Sequence, residues 1–156
     1  MDKISKQLPL IEKVFLAAVV IGTVLLVMKM NASVVKVSLV GLGVTFFLYA
    51  FRQTDNARPQ EGEKFGFQDL LARTIIPKVL WISSAISSLG IAFYLFSFGN
   101  DGYKRLLTIG GETIAVATVI SVILLIQGVK YFGTTTLILL RAVPLALLDL
   151  YILFGN

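Results

Sequence analysis

Apolar residues in this chain come in long blocks and do not alternate with polar ones. Five blocks run almost without charge: Ile11–Met30, Val34–Phe51, Pro77–Phe98, Leu106–Val129 and Thr134–Phe154. A helix needs about 20 apolar residues to cross the hydrocarbon core of a bilayer, and each block is near that length. The blocks are too continuously apolar for the alternating strands of an outer-membrane barrel. In lipid the backbone must satisfy its own hydrogen bonds, which selects helix. The pattern predicts an all-α fold, a polytopic transmembrane helical bundle of about five spans. Its single membrane domain, 1–156, holds a hairpin 11–51, a loop 52–76, a second hairpin 77–129 and a C-terminal span 134–154. A C-terminal segment that lies in the membrane without crossing is the alternative.

Composition agrees with the pattern. Hydrophobic residues make up 56% of the 156 residues and charged residues 15%. A soluble domain carries about 45–50% apolar residues even with glycine counted, and it needs polar residues to cover its core. The charges cluster between the apolar blocks, which makes the bilayer the expected solvent. The first block follows a short basic segment and lacks a small-x-small cleavage pattern, so it reads as an anchor that stays as the first span.

The net charge of +5 matters for orientation. With the N-terminus on the cytoplasmic side, that side holds Lys3, Lys6, Lys13, Arg52, Arg58, Lys64, Arg73, Lys78 and Lys130, nine in all. The other side holds Lys29, Lys36, Lys104 and Arg105, which is four. The positive-inside rule then predicts a multi-pass protein of the inner (cytoplasmic) membrane with its N-terminus inside. The chain has no basic face interleaved with aromatics, so nucleic acid is not an expected partner.

The loop 52–76 has two parts. RQTDNARPQEGEK is polar and reads as a solvated turn. In FGFQDLLARTII, Phe67, Leu70, Leu71, Thr74 and Ile75 recur at helical spacing, with Gln68, Asp69 and Arg73 opposite. This predicts an interfacial helix on the inner leaflet, with the frayed start of the third span as the other reading. Pro77 suits a first helical turn.

The two hairpins look related. IEKV at 11–14 matches IPKV at 76–79, and VVKVSLVGLG at 34–43 aligns with YKRLLTIGG at 103–111. Both would start on the same side, so the repeat is parallel. The stretches VSLVGLGVTFFLYAF (37–51) and LLTIGGETIAVATVI (106–120) resemble hairpins in small membrane proteins of the Bacteroidota. They are similar to the transmembrane hairpin of the gliding-motility motor protein GldL. The resemblance implies a proton-driven motor with an acidic residue in the second helix of the hairpin. Glu112 lies slightly ahead of that position in the second hairpin, and the first hairpin has no acid there.

Charges inside the apolar blocks need a reason, because a charge at the bilayer centre costs about 3 kcal/mol even on the mildest scale. Glu112, Arg141 and Asp149 are such charges. Glu112 and Asp149 fall at similar depth, where they could share a proton, a cation or one basic partner, and Arg141 is the natural base. The same three residues fit a second reading, in which they pair to fix helix packing or meet a partner subunit. Gly41, Gly43, Ser84, Ser88 and Gly110 are small residues of the kind that let membrane helices approach closely. Tyr49, Phe51, Trp81, Tyr103, Tyr131, Phe132 and Tyr151 fall near span ends, as an aromatic belt would.

Cysteine and histidine are absent. That removes disulfides, thiolate metal sites, cysteine nucleophiles and imidazole bases. Phosphate loops, HExxH and nucleophile-elbow motifs are missing as well. No cofactor, metal or catalytic residue is expected. The functional reading is a small non-enzymatic membrane protein, an accessory or structural subunit that packs with itself or with a partner. The alternative is a proton- or ion-coupled transport or motor component that uses Glu112, Asp149 and Arg141.

Overall fold

The computed structural model describes residues 2–30, 32–52, 66–97, 101–129 and 133–155. Among these residues there are five long helices and no strand: α1 Asp2–Val27, α2 Ser33–Phe51, α3 Phe67–Leu95, α4 Gly102–Ile126 and α5 Gly133–Phe154. Each is long and apolar enough to cross a membrane. Short turns join α1 to α2, α3 to α4 and α4 to α5, so consecutive helices run antiparallel. One end of the bundle, the near end, holds the starts of α1, α3 and α5. The far end holds the α1–α2 and α3–α4 turns and the end of α5.

The turns close with left-handed residues. Lys29 has φ 58°, and Met30 N–H reaches back to Leu25 O at 2.9 Å. Gly128 has φ 78°, and Val129 N–H reaches back to Leu124 O at 3.2 Å. Both are Schellman-type endings, and only the second uses the residue that takes this conformation without steric cost.

The segment predicted as a separate interfacial helix is the start of α3. Helix runs unbroken from Phe67 to Leu95, with a π-turn at Leu71–Ile75. Pro77 explains the π-turn. A proline cannot donate to the preceding turn, and its ring crowds the carbonyl four residues back. The wider turn places Ile76 N–H on Leu71 O, which leaves Ala72 O without a helical donor. Thr135 Oγ1 on α5 supplies one at 3.2 Å. Phe67, Leu70 and Ile75 stay exposed, while Arg73, expected on the polar face of that helix, is buried, as is its neighbour Ala72. At 29 residues α3 rises about 44 Å, more than the hydrocarbon thickness, so its first turns extend beyond the apolar slab.

α3 is the central helix. It packs against α2, α4 and α5; α4 also packs against α5, and α1 packs chiefly on α2. The interior is layered. An apolar cluster at the near end contains Phe46, Ile76, Leu80, Trp81, Ile114 and Ile138. A smaller one at the far end contains Val35, Leu39, Ile91, Ala92 and Leu107. Between them α3 contributes buried Ser83, Ser84, Ser87 and Ser88.

Glycines set the closest approaches. A Cβ on Gly110 would come within 2.9 Å of Ser87 N, and one on Gly22 within 2.6 Å of Val35 N. Gly41 faces the Phe15 ring, and Gly43 lies against Ala85 O and Leu89. Gly41, Gly43 and Gly110, named from the sequence, thus lie against neighbouring helices, as does Gly22, and Ser84 and Ser88 are buried.

Candidate functional site

Two polar constellations lie inside the apolar slab. The first is at the near end, where four helices each place one side chain. Glu12 of α1 is 2% exposed although it is an acid in an apolar helix. Its Oε1 lies 2.8 Å from Arg141 Nε on α5. The contact is an ion pair and not an aligned hydrogen bond, since Oε1 receives no hydrogen bond. Tyr49 of α2 donates its hydroxyl to Glu12 Oε2 at 2.9 Å. The Trp81 indole of α3 stacks on Tyr49, with centroids 4.5 Å apart and planes at 16°. Arg141 Cζ stands 5.7 Å from the Trp81 ring centre, within cation–π range.

Depth makes this possible. Glu12 is five residues into the apolar part of α1 and Arg141 six residues into that of α5, so each lies about 8–9 Å from the near end. Side chains and not backbones bridge α1 and α5. Tyr49 and Trp81, expected in an aromatic belt, are drawn inward because their polar edges and ring faces have charged groups to meet. Tyr131 and Phe132 lie outside the described residues.

The second constellation sits between α3, α4 and α5. Asp149 is fully buried. Its Oδ1 accepts from Ser87 Oγ at 2.9 Å, and its Oδ2 has no hydrogen-bond partner among the described residues. Ser84 Oγ and Ser88 Oγ are buried and unpartnered as well. Four other buried hydroxyls of the spans turn back to their own helices, Ser38 to Val34 O, Thr45 to Gly41 O, Ser83 to Val79 O and Ser121 to Ala117 O, while Thr135 reaches Ala72 O across the α3–α5 contact. Gly110 makes room for the pair, and Gly111 lies against it. Gly110 lets Ser87 reach α4, and a Cβ on Gly111 would stand 3.4 Å from Asp149 Oδ2.

The three charges singled out in the sequence are therefore not one set. Arg141 belongs to Glu12, not to Glu112 or Asp149. Asp149 faces Gly111, and Glu112, one residue on, is exposed. One residue is about 100° of helix, enough to turn the carboxylate from the interior to the outer face. Glu112 has no ion pair or hydrogen bond among the described residues. It lies ten residues from the start of α4 and fourteen from its end, near mid-span. Exposed Ile109, Val116 and Val119 share its surface.

Among the described residues no cluster of acids has metal-binding spacing. The partner that sequence reasoning missed is Glu12. The available signal was its depth, which matches that of Arg141 from the same end. The chain finds no match among family models, curated proteins or solved structures.

Proposed function

We propose that this chain is a non-enzymatic integral membrane subunit that associates laterally, with itself or with a partner chain, through the outward face of α4. Glu112 carries the reading. A carboxylate near mid-span costs about 3 kcal/mol against lipid, and this chain offers it no counter-group among the described residues. A donor on a neighbouring helix offsets that cost, and Ile109, Val116 and Val119 give the neighbour an apolar surface to pack on. The test is crosslinking after purification in mild detergent, comparing wild type with Glu112→Leu and with Val116→Trp. A stoichiometric second chain that both variants lose supports the subunit reading. A monomer in all three samples rejects it.

Asp149 favours a second reading, a proton- or ion-coupled component of the kind the GldL resemblance implies. Its support is a buried carboxylate with one oxygen held by Ser87 and the other unpartnered among the described residues. Glu112 and Arg141 would act apart from that site. In liposomes with a pH gradient, this reading expects proton flux that Asp149→Asn abolishes while the bundle still assembles. Equal flux in the variant sinks it.

The lysine and arginine distribution supports an inner-membrane protein with its N-terminus in the cytoplasm. Alkaline phosphatase fused after Asn156 should then be active and a fusion at Phe51 inactive. The reverse pattern would invert the topology.

A further inference from the structure

At the far end the seam between α1 and α5 opens into a groove of about 330 Å³. Val19 and Leu26 of α1, Leu39 of α2, Ile91 and Leu95 of α3 and Ile152 of α5 are among its walls. Thr23 and Tyr151 also line it, and both are exposed. The Thr23 hydroxyl is turned back to Val19 O at 2.8 Å and offers the groove little polarity. The groove runs along α1 from Val19 to Leu26, about 10 Å.

The rim is charged. Lys36 follows the groove residue Val35, and its Nζ stands 5.2 Å from the ring centre of Phe96, which follows the groove residue Leu95. Lys29 lies in the turn just beyond Leu26. The acid nearby in sequence, Asp101, is held by Lys104 at 2.9 Å, so the described cations at this end, Lys29, Lys36, Lys104 and Arg105, outnumber it. An apolar slot open to the bilayer, at the end of the bundle that carries these four cations, matches an amphiphile with an anionic head.

We propose that the groove is a lipid site that takes one acyl chain of an anionic phospholipid, with the phosphate at Lys36. Lipid tails already surround the protein, so filling the slot gains little from hydrophobic transfer, and selectivity comes from the headgroup. One lysine near a lipid surface corresponds to about a fivefold preference.

Native mass spectrometry of the full chain in mild detergent, with equal phosphatidylglycerol and phosphatidylcholine added, tests this. Wild type should retain one lipid, with phosphatidylglycerol favoured about fivefold. Lys36→Gln should keep retention and lose the preference. Thr23→Trp, placed on an exposed position of the groove wall, should lose retention. Leu148→Trp, on the opposite wall, should do the same, and monodisperse elution with unchanged helical circular dichroism shows that each variant is folded. No retained lipid in wild type, equal retention of both headgroups, or undiminished retention in both folded tryptophan variants overturns the proposal.

Discussion

Replacing Glu12 or Arg141 by leucine, singly and together, asks whether their contact joins α1 to the bundle. Two opposite charges 2.8 Å apart attract by about 6 kcal/mol at an effective dielectric of 20. The cost of taking both out of water offsets most of that, so the net contribution of the pair is small. Removing one partner is different, because it strands the other. Breaking a buried pair costs about 3–5 kcal/mol. The Arg141 side chain is 41% exposed and has a long stem that can reach toward the headgroups, which places Glu12→Leu at the low end, about 3 kcal/mol. Arg141→Leu should cost about the same, since it leaves Glu12 buried with only the Tyr49 hydrogen bond. The double variant should cost no more than either single change, a coupling of about 3 kcal/mol. Unfolding in mixed micelles by added sodium dodecyl sulfate measures this, read by the fluorescence of the sole tryptophan, Trp81, which contacts both Tyr49 and Arg141. Additive losses, about 6 kcal/mol in the double variant, would refute the reasoning.

The remaining predictions concern backbone and packing. Thr135→Val should cost about 1–3 kcal/mol in the same unfolding assay, because it orphans the buried Ala72 carbonyl that Pro77 leaves unpaired; an unchanged midpoint would mean that another donor serves it. Gly22→Ala should destabilise by about 1–3 kcal/mol, since its methyl meets the Val35 backbone, whereas Gly111→Ala, whose methyl makes ordinary contact with Asp149, should cost less than about 1 kcal/mol. Equal effects of the two would show that these glycines are not set by space.

Legibility in the sequence followed the length scale of the signal. The five helices could be read because each is announced by about twenty residues of apolar pattern, and the bilayer excludes other backbone structures. Gly41, Gly43, Ser84, Ser88 and Gly110 could be read as packing residues because size alone suits them to close contact. Whether the amphipathic stretch 67–75 stands apart or opens the third span was not legible, because a helical pattern does not say where one helix ends and the next begins. Pro77 looked like a helix start, yet a π-turn carries the helix through it. Glu12 was overlooked because its partner lies on the last helix, and nothing local to either residue names the other.

Sequence alone determined the solvent, the helical class, the number of spans and the presence of a few expensive charges. Those properties depend on composition and period, which are local. The tertiary structure decided which charge meets which. It put Arg141 on Glu12, Asp149 on Ser87 and Glu112 on the outside. The physical reason is rotational. A helix turns about 100° per residue, so adjacent positions such as Gly111 and Glu112 part ways between interior and surface. Only the packing of α3, α4 and α5 sets that phase.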